Sequence, residues 1–320
     1  MKSLMRSLLR MGNYAFFPIT NTLQRLENEI EKSLLLQGQT QAKLVLNNQR
    51  IYPSLKDAEF RVFSQWGEDG IIQYLTSRVV IDRKVFVEFG VQDYCESNTR
   101  FLLLNNNWSG MVIDGNAENI RLIQSADWSW RHELNSKAAF VTRENINDLI
   151  GGGGIRGDIG LLSIDIDGND YWVWEAITVV NPRIVVIEYN GLWGAVSSVS
   201  TPYDPQFVRG RAHYSNLYYG ASLPALFGLA KKKGYTFVGS NSAGVNAFFV
   251  RSDVLGDLRE AKIEDEYAPR KLRESRDKTG RLTFLNFEEQ LNLLASLPLL
   301  DVNSGALIKV ADLIASHRAV

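Results

Sequence analysis

Apolar positions along the 320-residue chain fall into two rhythms. Short apolar runs of strand character recur at residues 85–90, 111–113, 138–142, 159–164 and 183–187, and most of them close on an acid or an amide. Between them the apolar residues return at spacings of three and four, as helices require. Ser97 or Asn98 can cap a helix through Phe101, Leu102 and Leu104, Ile146 to Ile150 start another, and Asp170 can cap one containing Trp172, Val173 and Trp174. Ser222 can cap a further helix through Leu226 and Leu229 to Lys231–Lys233, which Gly234 stops. Residues 235–251 read as two strands joined by a glycine-containing turn. Strands alternating with helices predict an α/β fold with a mostly parallel sheet and right-handed crossovers.

The ends of the chain read differently. Residues 1–18 place Leu4, Leu8 and Met11 near one helical face and Lys2, Arg6 and Arg10 on another, which leaves open a weak peripheral contact with an anionic bilayer or packing on a neighbour. A second helix is expected over residues 21–48, with Leu23, Leu26, Ile30 and Leu34 as its stripe, and a dimerising arm is one use for it. Pro53 closes this region, so residues 1–54 form an arm, 55–252 the main domain and 253–320 an extension packed on it. Charges of both signs crowd residues 251–281, which reads as a solvated helical face. Residues 284–316 regain a stripe at Leu291, Leu294, Leu297 and Leu300, expected to be a helical appendage or an oligomer contact.

Composition excludes some partners. With 35 basic and 36 acidic residues the chain offers no electrostatic reason to bind nucleic acid. One cysteine, Cys95, rules out an internal disulfide, and with no clean signal peptide it favours the cytoplasm. Arg6, Arg10 and Asn13 interrupt the one apolar N-terminal candidate for a membrane span.

The candidate chemistry lies where the strands end. Glu88 and Gly90 close the first strand, and Asp114 and Gly115 follow the second. A single glycine there is not the three-glycine fingerprint of a dinucleotide cradle, and the run Gly151–Gly154 lacks the lysine and hydroxyl of a phosphate loop. Asp165, Asp167 and Asp170 crowd the end of the fourth strand, and Glu188 and Asn190 the end of the fifth. Carboxylates so close need donors, shared protons or a divalent cation such as magnesium; otherwise Asp167–Gly168 make an Asx turn and Asp170 caps a helix. Residues 191–220 form a long loop without periodicity, which argues for function. It carries His213, the candidate general base, together with tyrosines and arginines suited to a sugar.

The stretches SQWGEDGII (64–72), FVEFGVQDYCESNTRFLL (86–103), VIDGN (112–116), the pair Glu144–Asn145, SIDIDGNDYWVWEAI (163–177) and VVIEYN (185–190) come in this order over roughly residues 60–250. Together they resemble class I S-adenosylmethionine-dependent methyltransferases, in the FkbM-like, sugar O-methyltransferase-like branch. The resemblance implies a Rossmann-like, seven-stranded sheet with an antiparallel last strand. It implies cofactor contacts from Gln65, Glu88, Gly90, Asn98, Asp114, Gly115, Glu144, Asn145 and Asp165, with Glu144–Asn145 at the adenine. Comparison with metal-dependent catechol-type enzymes implies a cation held by Asp165, Asp167, Glu188 and Asn190, although EYN here replaces their usual Asp-Asn pair. The expected reaction is O-methylation of a sugar or glycan-type hydroxyl in a homo-oligomer, with His213 and Asp165 catalytic. Metal-independent N- or carboxyl-methylation, or a silent cofactor-binding scaffold in glycan assembly, are the alternatives.

Overall fold

The computed structural model describes residues 2–47, 51–271 and 273–317. Its strands are β1 (Val85–Phe89), β2 (Ser109–Asp114), β3 (Leu134–Ala138), β4 (Gly157–Ile164), β5 (Val180–Glu188), β6 (Val199–Ser200), β7 (Tyr235–Ser240), β8 (Asn246–Arg251), β9 (Pro298–Asp301) and β10 (Leu307–Lys309). Its helices are α1 (Lys2–Asn47), α2 (Glu68–Arg78), α3 (Arg100–Asn106), α4 (Ala117–Ser125), α5 (Ile146–Gly152), α6 (Asp170–Ala176), α7 (Arg209–Ala212), α8 (Leu223–Lys232), α9 (Ile263–Glu266), α10 (Phe287–Leu294) and α11 (Val310–His317).

Seven strands form one sheet in the order β3-β2-β1-β4-β5-β8-β7, and only β8 runs against the others. This is the α/β Rossmann-like sheet expected from the sequence. Both faces are covered, which is why its strands read as continuous apolar runs. Val87, Phe89, Ile113, Leu162, Ile164, Val185 and Ile187 face α5, α6 and α8. Phe86, Val112, Leu161, Ile184 and Val186 face α2 and α3. Chain order reverses between β1 and β4, and the crevice outside their carboxyl ends is where open α/β sheets bind ligands.

One strand boundary is corrected. The third strand is Leu134–Ala138 rather than residues 138–142. β3 lies at the sheet edge, where LNSKA is largely exposed, so the strand itself carries little apolar signal. The apolar AFV that follows is the wall of a cleft.

The two N-terminal helices expected from the sequence are one, α1, of 46 residues. The side chains of residues 2–21, and with them the amphipathic face of Leu4, Leu8 and Met11, lie outside the described residues. α1 meets the body through Leu35, Gly38, Ala42 and Val45, not through the leucine stripe. A Cβ on Gly38 would sit 2.4 Å from Val62 Cγ2, so this contact is made by small residues and is almost silent in an apolar pattern. Leu23, Leu26, Ile30 and Leu34 stay exposed. Among the described residues no helix is long and apolar enough to cross a membrane.

The C-terminal expectations also change. Among the described residues, 251–281 hold a short 3-10 turn and α9 rather than a charged helix, and their charges are used singly: Arg251 pairs with Asp158, Glu266 with Lys56, and Arg270 and Glu274 line the crevice. After α10, residues 298–309 make a β9–β10 hairpin that pairs with β6 in a second, three-stranded sheet. Leu291, Leu294, Leu299, Val310 and Leu313 pack on Leu192, Trp193, Phe207, Leu217 and Tyr219. Of the leucines expected to offer a helical appendage or an oligomer contact, Leu291 and Leu294 are buried inside the chain and Leu297 and Leu300 half-buried, and with Leu299 they hold the aperiodic loop 191–220 over the crevice.

Candidate functional site

The crevice begins with a turn that only glycine permits. Gly90 follows β1 with φ +74, and a Cβ there would lie 1.6 Å from the Asp165 carbonyl oxygen. The ends of β1 and β4 therefore touch, and Gly90 and Asp165 line one cleft of about 340 Å³. A recess of about 90 Å³, lined by Glu88, Ser97, Asn98 and Asn246, shares Gln65, Gly90, Gln92 and Asp165 with it.

Glu88 is a staple at the back of this recess. Its carboxylate accepts hydrogen bonds from Ser97 Oγ, Thr99 Oγ1, Ser163 Oγ and the backbone N–H groups of Asn98 and Thr99. Burial pushes its carboxyl up from the usual range, against the pull of these donors. The side chain of Asn98 donates to Ser163 Oγ at 3.1 Å. Glu88 thus shapes the loop before α3 and reaches a ligand only at the recess wall.

Asp114, buried at the end of β2, is held from behind and open in front. Oδ2 accepts from Gln92 N at 2.8 Å, and Oδ1 accepts from Asn116 N at 2.8 Å and Asn119 Nδ2 at 3.0 Å. A carboxylate fixed on both oxygens can still accept from two adjacent hydroxyls, and Asp114 and Gly115 both line the cleft. Ala139, Phe140 and Val141 form the apolar wall beside it. Glu144 and Asn145 do not line the cleft. Asn145 Oδ1 accepts from Thr142 N and its Nδ2 donates to Phe140 O, both at 2.9 Å, so it fixes the turn that presents Phe140. Glu144 faces solvent, bonded to the Tyr203 hydroxyl, which holds its carboxyl down near 2. An aromatic face takes the place of the polar pair expected there.

Opposite Asp114 lie the acids. Asp165, Asp167 and Glu188 offer carboxylate oxygens that lie within 4.8 Å of one another. Burial, then Glu188 and Asp167, pushes the Asp165 carboxyl well above its ordinary range; burial, then Asp167, pushes Glu188 up to about 8. The other two polar residues of these strand ends have structural work. Asp170 accepts from Ile166 N at 2.8 Å and Gly168 N at 2.9 Å, which closes the turn where Asp167 has φ +57. Asn190 is not brought to the acids: Nδ2 donates to Leu217 O and Tyr219 O, and Oδ1 accepts from Leu192 N. It anchors the long loop instead.

Arg209 reaches in from α7 and donates to Asp167 Oδ1 at 2.6 Å. His213, the expected base, does not line the cleft. Its ring stacks on Tyr214 and its Nδ1 meets Ser215 Oγ at 2.7 Å and Ser215 N at 3.3 Å. The residue caps a turn, because the packing that orders its loop turns it away from the acids.

Several polar atoms of the cleft and recess are buried without a partner: Glu188 Oε2, Asn169 Oδ1, Asn246 Oδ1, Arg209 Nη2 and Arg270 Nε. Native interiors rarely leave such groups unpaired, so their concentration in one crevice makes it the candidate ligand site. Asn169, Asn246, Arg270 and Glu274 were not legible as site residues. Asn246 reads as part of a hairpin turn and Arg270 as one charge among many, and only the pairing of β8 with β5, Glu188 opposite Asn246, brings the asparagine beside the acids.

No family profile and no curated protein matches the chain. Among solved structures it is similar to an S-adenosylmethionine-dependent methyltransferase from Clostridium acetobutylicum, at 10% identity and a TM-score of 0.37 over 58% of this chain and 90% of that one. It is similar to the O-methyltransferase from Bacillus cereus in complex with S-adenosylhomocysteine, at 13% identity and a TM-score of 0.37 over 68% and 89%. The N-terminal domain of EvdMO1 with S-adenosylhomocysteine bound is similar at 10% identity and a TM-score of 0.39 over 73% and 97%.

Proposed function

We propose that this chain is an S-adenosylmethionine-dependent O-methyltransferase acting on a hydroxyl of a sugar or glycan-related acceptor, with a divalent cation at its acids. The observation that carries this reading is the shared cleft in which Asp114 stands beyond Gly90 from the group Asp165, Asp167 and Glu188.

The residues fit the cofactor. Asp114 would accept the ribose hydroxyls, Phe140 and Val141 would pack on the adenine, and the recess of Gln65, Asn98 and Asn246 would receive the amino-acid end. When bound, the cofactor supplies an electrophilic methyl group. They also fit a cation: three hard carboxylate oxygens spanning no more than 4.8 Å match ligands about 2.0–2.6 Å from a magnesium or calcium ion. Asp165, Asp167 and Glu188 would hold it. Glu188 Oε2, which has no partner among the described residues, would accept the hydrogen bond of an acceptor hydroxyl and hold it in place. Asp165 lines both the cleft and the recess.

Calorimetry with S-adenosylhomocysteine tests the cofactor: tight binding that Asp114→Ala weakens is expected, and no binding by the wild type would refute the reading. EDTA treatment followed by magnesium titration tests the cation, and heat of binding that persists unchanged in Asp165→Ala would reject it. We further propose that α1 pairs with α1 of a second copy through Leu23, Leu26, Ile30 and Leu34, which are exposed on the described chain. Sedimentation that shows a monomer at every concentration would dismiss that pairing.

A further inference from the structure

Two arginines line the cleft beside the acids. Arg209 and Arg270 come from segments far apart in sequence, yet both guanidinium groups stand over the ring of buried Tyr219, at 4.0 Å and 5.4 Å from its centroid. Arg209 is fixed on two sides: Nε donates to Asn216 O and Nη1 to Asp167 Oδ1, both at 2.6 Å. Its third nitrogen, Nη2, is buried and donates to nothing. Arg270 has a buried, unpartnered Nε, and among the described residues it makes no ion pair. Both line the cleft beside Glu188 and Phe207.

Two cations gathered on one aromatic ring repel each other, and a buried donor left unmade costs about 1–3 kcal/mol, more when it is charged. Asp167 accepts from Arg209, and Glu188 stands within electrostatic reach of both arginines, yet Arg209 Nη2 and Arg270 Nε donate to neither acid. A neutral hydroxyl can accept from one of these nitrogens but leaves the second donor unpaired. An oxyanion accepts from both at once, in the planar geometry that guanidinium groups favour.

We propose that the acceptor carries an oxyanion, a carboxylate or a phosphate, bound between Arg209 and Arg270 over Tyr219. This deepens the methyltransferase reading and rests on it for the word acceptor. Glu188 Oε2 takes the acceptor's hydroxyl and the arginine pair its anion, so the substrate class is a hydroxylated anion such as a uronic acid or a sugar phosphate. Arg270 also walls a second hollow of about 410 Å³, with Leu192, Leu217 and Phe287 among its other lining residues, which leaves room for the remainder of such a molecule.

Calorimetry on the full chain separates the outcomes. S-adenosylhomocysteine is titrated first; if it does not bind, the methyltransferase reading falls, and the anion site is then tested on the chain alone. Inorganic phosphate, acetate and glucose are titrated next into wild type, Arg270→Gln and Arg209→Gln. Phosphate or acetate is expected to bind at least about tenfold more tightly than glucose, and this preference is expected to vanish in Arg270→Gln, whose side chain makes no ion pair that the fold needs. Which of the two anions binds tighter names the oxyanion. Equal weak binding of all three probes, or an anion preference that survives in a folded Arg270→Gln chain, overturns the proposal.

Discussion

Glu68 Oε1 accepts a hydrogen bond of 2.9 Å from Asn246 Nδ2, and this bond decides which way the asparagine amide points. The same oxygen accepts from Asn241 Nδ2 at 2.6 Å, and Oε2 accepts from Trp66 N at 2.8 Å. A carboxylate offers no proton to Asn246 Oδ1, so that oxygen faces the recess as a fixed acceptor on a side chain only 5% exposed.

Asn246→Leu is therefore expected to weaken S-adenosylhomocysteine about tenfold and to leave 5′-methylthioadenosine, which lacks the amino-acid end, unchanged. Glu68→Gln acts in the same direction, because a glutamine amide can donate to Asn246 Oδ1 and turn the asparagine over. Calorimetry with both nucleosides checks this, and equal losses for the two would show that Asn246 serves folding only.

Asp114→Asn keeps the shape of the carboxylate and removes its charge. Each charge-assisted bond to a ribose hydroxyl is worth roughly 1.5–3 kcal/mol, so affinity for S-adenosylhomocysteine should fall by at least about tenfold. The urea midpoint of the variant, measured beside its affinity, tells lost contacts from lost structure.

Gly90 and Gly154 both have positive φ, of +74 and +80, but a Cβ meets the Asp165 carbonyl at the first and nothing within 4 Å at the second. Gly154→Ala should cost about 1–2 kcal/mol, the strain of a left-handed alanine. Gly90→Ala adds a backbone collision and should cost upward of about 3 kcal/mol. Urea unfolding gives both numbers, and similar values would mean that β1 and β4 do not meet as described.

Cation binding at the acids should depend on pH with a defined sign. Burial, with Asp167 next, holds Glu188 up to about 8, and burial with Glu188 raises Asp165. A cation needs both groups deprotonated, so binding competes with protons below about 8. Magnesium affinity measured by calorimetry should rise with pH through that value, by as much as about tenfold per unit for each proton displaced. A flat profile from pH 6 to 9 would mean the carboxylates bind no ion.

The order of elements was written along the chain, because each strand of a doubly covered sheet needs apolar residues on both faces, and each crossover helix needs them on one. For the same reason Glu88, Asp114, Asp165 and Glu188 were legible: an acid closing an apolar run has little to do except face the crevice. Their division of labour was not legible. Glu88 became a staple because backbone N–H groups surround it, which no spacing reveals, whereas a turn at Asp167–Gly168 with Asp170 in a structural role was one of the two expected readings.

His213, Asn190 and the pair Glu144–Asn145 have the right chemistry in the right segments, and tertiary packing sends them elsewhere. Arg270 and Asn246 have unremarkable sequence surroundings, and tertiary packing brings them in. Local pattern reports how a segment buries its own apolar surface. Which side chains from distant segments converge on one hollow depends on strand order and on how the C-terminal leucines seat the loop 191–220, and those contacts exist only once the chain has folded.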